Sequence, residues 1–159
     1  MAATELFDRR SQRSVPVALL LIGAVLLIAR FTYTRKEESK DLVRWVAPDV
    51  AINRARSTGK PIMYDFTAEW CRPCHVLDAE VFRDARTAAE INERFIPVRI
   101  TDRKQEDGSN SREVDALERQ YSVRGFPTIV IASADGTELG RMEGYKGKPE
   151  LERILERAR

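Results

Sequence analysis

Cysteine and histidine are scarce in this chain: two cysteines and one histidine in 159 residues. Two cysteines cannot build the multi-bridge scaffold with which small secreted domains replace a core. One histidine and one cysteine pair leave too few imidazole and thiolate ligands for a zinc site, so no metal is expected. A strong charge bias is missing too. The net charge is +2 with 33% charged residues, and basic side chains alternate with acidic ones. No Lys/Arg patch with interleaved aromatics occurs, so nucleic acid is not expected as a partner. Long apolar runs are lacking except for one, Val15 to Ala29, interrupted only by Pro16 and Gly23.

That run is short for a spanning helix, which needs about 20 residues. With Arg30 snorkelling and Phe31 and Tyr33 at the interface it extends over residues 15–33, a single transmembrane anchor behind a polar segment, 1–14. A cleaved signal peptide is the rival reading, with Arg9, Arg10 and Arg13 as its basic start and Ala29 as its cut site. No A-x-A pattern precedes Ala29, and Arg30 is a poor first mature residue. Basic residues flank both ends, so the positive-inside count does not orient the span. The following domain is expected outside the cytoplasm, in the periplasm, because a cytoplasmic thiol reductant gains little from an anchor. Residues 34–41 form a charged linker. Residues 42–159 are enough for one domain with an adequate core.

Within that domain the pattern predicts a short strand at 42–46, then a helix at 48–58, opened by Pro48 and closed by Gly59. An apolar run, Pro61 to Phe66, reads as a buried strand, and helical spacing follows to Phe82 and again from Thr87 to Arg94. Phe95 to Ile100 is a strand with Pro97 marking a bulge or an edge. Residues 101–110 are a loop. Ser111 caps a helix running to Tyr121. Strands at 127–132 and 138–143 flank an Asp135-Gly136 turn, and a helix at 148–158 closes the chain. The order β-α-β-α-β-α-β-β-α implies a largely parallel sheet covered on both faces, with antiparallel strands added by the last hairpin.

Both cysteines lie in Trp70-Cys71-Arg72-Pro73-Cys74-His75, where a strand hands over to a helix. Orphan N–H groups and the helix dipole at such an N-terminus favour a thiolate at Cys71, and Arg72 adds positive charge. Cys74, nearly one turn on, reaches back and is expected to be the more buried, resolving thiol. Asp65 is anomalous among Ile62, Met63, Tyr64 and Phe66. In a covered sheet its pKa should rise, which suits a proton acceptor for Cys74; on an edge strand it would simply be solvated. Pro127 precedes a β-branched strand. A cis Phe126–Pro127 bond would explain it, and a trans proline opening a strand is the plainer local reading. Cys71 to His75 also matches the C-x-x-C-H haem attachment pattern, but only Met63 or Met142 could supply a second axial ligand. His75 is expected on the helix surface, where with Arg72 and Pro73 it tunes the thiols.

Asp65-Phe66-Thr67-Ala68-Glu69-Trp70-Cys71-Arg72-Pro73-Cys74 resembles the thioredoxin motif, with Thr67 and Arg72 as departures. Tyr121 to Thr128 resembles the thioredoxin cis-proline segment, and Asp135-Gly136 and Gly144 fall where that family has its terminal hairpin. Gly59 to Met63, Glu80-Val81-Phe82 and the polar stretch after Ile100 are most similar to the C-terminal thioredoxin-like domain of DsbD-type thiol:disulfide interchange proteins. The resemblance implies a thioredoxin fold, a mixed central sheet with helices on both faces. It also implies Cys71 as attacking thiol, Cys74 as resolving thiol, Asp65 as buried acid, and a cis Pro127 docking extended substrates beside Trp70 and Phe126. The expected function is a membrane-anchored protein-disulfide reductase or exchanger that needs no cofactor. Its partners are protein disulfides and a separate membrane or soluble thiol redox protein. A c-type haem electron carrier and a non-catalytic thioredoxin-fold adaptor are the alternatives.

Overall fold

The structure, a computed structural model, describes residues 22–23 and 41–158. The chain divides into two units, 1–38 and 39–159, and the second holds the fold. The proposed anchor at 15–33 lies outside the described residues apart from Ile22 and Gly23. Among the described residues no helix is long and apolar enough to cross a membrane.

A helix α1 (Pro48–Thr58) leads into β1 (Ile62–Ala68). Pro48 starts α1 with its φ already set for the first turn. Gly59 ends it in the left-handed region, at φ 72°, donating its N–H to Ala55 O. Next come α2 (Arg72–Leu77) and a π-helical turn (Asp78–Phe82), followed by α3 (Ala85–Arg94), β2 (Ile96–Asp102) and a short α4 (Lys104–Asp107). Helix α5 (Arg112–Gln120), strands β3 (Thr128–Ala132) and β4 (Glu138–Glu143), and α6 (Lys148–Arg157) complete the domain. The Ser111 hydroxyl caps α5 by accepting from Val114 N.

The sheet order is β2-β1-β3-β4. Only β1 and β2 are parallel; β1–β3 and β3–β4 are antiparallel. The sheet is therefore mixed, with less parallel pairing than helix–strand alternation suggests. Side chains alternate faces along each strand. Ile62, Tyr64 and Phe66 join α1 and α5 in one core layer. Met63 packs in the other with residues of α2, the π turn, α3 and α6. Asp65 follows Met63 by two and so looks into that second layer.

The strand expected at 42–46 does not form. Its polar backbone is satisfied piecemeal: Leu42 N donates to Phe82 O, Arg44 N to Asn92 Oδ1, and Val46 N to Pro97 O. One bond to the sheet makes no ladder. That bond also explains Pro97. The Pro97 carbonyl points outward from edge strand β2 to Val46, so the missing N–H lies on the outer side and costs the β1–β2 ladder nothing. The loop predicted at 101–110 contains the single turn α4, ended by Gly108 at φ 76°.

Phe82 is fully buried and meets Trp45 edge-to-face at 5.0 Å, joining the irregular 42–46 segment to the second core layer. Phe82→Ala should lower unfolding free energy by about 3–5 kcal/mol, because it leaves a cavity against a rigid sheet. Urea denaturation with an unchanged m-value checks this; a loss below about 1 kcal/mol would mean the layer collapses to refill the site.

Candidate active site

Cys71 is the N-cap of α2, and its Sγ accepts a hydrogen bond from Cys74 N at 3.2 Å. The same Cys74 N–H is shared with the Cys71 carbonyl (3.0 Å), which also accepts from His75 N (3.3 Å). The first turn of this helix thus turns its unsatisfied donors onto one cysteine, as strand-to-helix spacing leads one to expect. The two sulfurs are bonded to each other at 2.08 Å. Sequence reasoning put Cys74 deeper than Cys71. In the oxidised pair the two do not differ: Cys71 is 2% exposed and Cys74 3%.

Their cover is one side chain deep. Phe126 packs against the cysteines and Ala68. Trp70, 50% exposed, stands edge-on to Phe126 at 6.0 Å. Arg72, Pro73, His75 and Val76 form an exposed rim. His75 sits on the helix surface as expected, and its Nε2 lies 2.9 Å from Glu69 O, bracing the turn before the motif. The Phe126–Pro127 bond is cis. The Pro127 carbonyl accepts from Gly144 N at 2.8 Å, and the Thr128 hydroxyl donates to Gly125 O at 2.8 Å, so the loop is held on both sides of the proline. A shallow groove lined by Arg124, Gly125, Phe126, Glu143 and Gly144 runs alongside. Phe126 thus joins the cysteines to Trp70, and Pro127 follows it in the chain.

Haem attachment through both sulfurs finds no support in this arrangement. The sulfurs bond to each other, and Met63 and Met142, the only candidates named for a second axial ligand, are enclosed in the core.

A charge cluster at the end of the motif helix, reached through Asp78, is only partly legible in the sequence. Asp65 is 1% exposed. Its Oδ2 accepts from Arg99 Nε at 2.9 Å, while Oδ1 is buried without a partner. Arg99 stands directly across from Asp65 in the parallel β1–β2 register. Its two other nitrogens donate to Asp41 Oδ2 (2.9 Å) and Asp78 Oδ1 (2.6 Å). The guanidinium also lies over the rings of Trp45 (4.3 Å) and Phe82 (5.2 Å), which shield it on its apolar faces. Burial pushes the Asp65 carboxyl up to about 6; Arg99 opposes the rise, and the charges of Asp78 and Asp41 add to it. The expectation of an elevated Asp65 holds, and the solvated-edge alternative does not. Asp78 follows Cys74 by four residues, so the cluster touches the motif helix one turn below the second cysteine. Arg99, Asp78, Asp41 and Trp45 were missed. An arginine in the apolar run Ile96-Pro97-Val98-Arg99-Ile100 was the available signal.

Known proteins resemble this one in both sequence and fold. The thiol:disulfide interchange protein DsbD of Yersinia enterocolitica is 30% identical over 140 residues, which cover 80% of this chain and 23% of that protein. The chain thus spans under a quarter of that relative's length. Among solved structures, one described as DsbH oxidoreductase aligns with a TM-score of 0.62 and 22% identity, covering 72% of this chain and 85% of that one. The oxidised C-terminal domain of Neisseria meningitidis DsbD aligns with a TM-score of 0.53 and 23% identity, covering 73% of this chain and all of that domain. At those identities the structures establish the shared fold. The thioredoxin-like domain family matches residues 48–159, a span that takes in every strand of the sheet and every helix packed on it. The chain belongs to the thioredoxin-like domain family.

Proposed function

We propose that this chain is a thiol–disulfide oxidoreductase that reduces or exchanges disulfides of proteins outside the cytoplasm, held at the membrane by residues 15–33. The observation that carries the reading is the Cys71–Cys74 disulfide capping α2 with Phe126 packed on it, and a buried carboxyl, Asp65, in the strand that leads into the motif. Support for the location comes from the apolar run and from the thiol:disulfide interchange proteins that the chain resembles.

The cycle balances without a cofactor. In the reduced protein the Cys71 thiolate attacks one sulfur of a substrate disulfide. The substrate S–S bond breaks, one substrate thiolate leaves, and a mixed disulfide forms. Cys74 loses its proton, with Asp65 as acceptor, and its thiolate attacks Cys71 Sγ. The second substrate thiolate departs; the substrate has gained two electrons and the Cys71–Cys74 bond is restored. A separate dithiol protein recharges the pair by the reverse exchange. Trp70, Phe126 and Pro127 bind the substrate segment along the neighbouring groove. Arg72, exposed between the cysteines, favours the thiolate and draws the potential towards the oxidising side, while His75 and Pro73 fix the turn that presents Cys71.

Cys71→Ser should abolish reduction of insulin disulfides, whereas Cys74→Ser should accumulate mixed disulfides visible on non-reducing gels. Retention of full activity by both variants would refute the cycle.

Asp65 makes a second, pH-dependent outcome. Its folded pKa of about 6 exceeds the unfolded value of about 3.9. The native state therefore holds a proton that the unfolded chain has released. The stability linked to this proton is complete below about pH 4 and is lost as pH rises through about 6. Asp65→Asn should stabilise the oxidised protein by roughly 1–3 kcal/mol at about pH 8, and the difference should vanish below about pH 4. Equal differences in denaturation midpoint at both pH values would contradict this.

A further inference from the structure

Asp41 lies before the family-matched span of 48–159, yet it joins the charge cluster around Arg99. Its position is well defined. Oδ1 accepts from Val43 N at 3.1 Å, and Oδ2 accepts both from Trp45 Nε1 at 2.6 Å and from Arg99 Nη1 at 2.9 Å. Trp45 in turn lies over the Arg99 guanidinium. The segment 41–45 therefore clasps Arg99 by an ion pair on its edge and an indole on its face.

Arg99 is shared. One positive charge meets three carboxylates, through three different nitrogens. Asp41 and Asp78 are partly open to water, at 29% and 26% side-chain exposure, and Asp65 is not, at 1%. Three anions against one cation leave an excess of negative charge in a site of low dielectric. The carboxyl with the least water is the one that relieves the excess by holding a proton. Arg99, Asp78 and Asp41 are the charged groups facing Asp65; apolar Leu77, Val81 and Phe82 pack in the same core layer.

We propose that Asp41 is a positioning residue for the thiol chemistry: by occupying one edge of the Arg99 fork it limits the charge that Arg99 delivers to Asp65, and so keeps Asp65 able to exchange a proton with the cysteine pair. The inference rests on the proposed role of Asp65 as proton acceptor, and it extends the working site to a residue that precedes the family-matched span. Removing the Asp41 charge frees Arg99 for Asp65, which then ionises more readily and accepts a proton less readily. The direction agrees with the contribution of Asp41 to Asp65, which raises its proton affinity.

Carboxyl-carbon NMR titration of the full oxidised chain tests this. Asp41→Asn is nearly isosteric and keeps an oxygen for Val43 N–H. It should move the Asp65 midpoint down by roughly 0.5–1 pH unit, and Asp41→Glu should restore much of it. In the unmodified protein the Asp41 carboxyl carbon should show a second step at the Asp65 midpoint, since both share one guanidinium. That measurement decides the matter even if Asp41→Asn fails to fold. An unmoved Asp65 midpoint in a folded Asp41→Asn, or no Asp65-linked step at Asp41, overturns the proposal. The acid limb of mixed-disulfide resolution by the reduced protein separates the two levels. If that limb is absent, or persists in Asp65→Asn, the proton-acceptor reading fails. If the limb follows Asp65 and Asp41→Asn leaves it in place, the reading stands and the role of Asp41 falls.

Discussion

Arg99 brings a single positive charge to the end of the motif helix, where three carboxylates compete for it. Most of the site follows from that competition. A lone carboxylate in the middle of a covered sheet would be too costly to ionise, and a carboxylate with an arginine to itself would never take a proton. Sharing leaves Asp65 between those extremes, raised to about 6. The apolar rings of Trp45 and Phe82 make sharing possible, since they exclude water from the faces of the guanidinium and leave only its edges for hydrogen bonds.

The fold serves this arrangement by register. Parallel pairing of β1 with β2 sets Arg99 opposite Asp65, and strand alternation turns both towards the layer that contains the motif helix. The π turn that follows α2 brings Asp78 onto the same guanidinium. The disulfide above is built differently. It depends on the free N–H groups of a helix start, on the aromatic pair Trp70–Phe126, and on the loop that carries Pro127. The sulfurs and the charge cluster therefore rest largely on separate elements, which meet in β1, through Ala68 and Asp65, and at the end of α2, through Asp78.

The membership of this chain in the thioredoxin-like domain family accounts for the first of these parts more fully than the second. The cysteine motif, Asp65 and the proline loop all lie within the matched span. Asp41 and Trp45 lie before it and reach the site through one arginine.

The sequence by itself determined what is local. The helix boundaries at Pro48 and Gly59, the Ser111 cap, the cysteine pair at the start of a helix and the oddity of a carboxylate in an apolar strand are settled within a few neighbouring residues, by backbone geometry and side-chain polarity. The strand expected at 42–46 failed because alternation alone cannot say where a ladder partner will be, and here the backbone bonds go to Phe82, Asn92 and Pro97 instead. Only the tertiary structure decided which cation Asp65 would meet. Asp41, Asp65, Asp78 and Arg99 are far apart in the chain, and the forces that join them act through space once the sheet has set its register. It also decided that both cysteines are buried, with Phe126, far along the chain, packed against them.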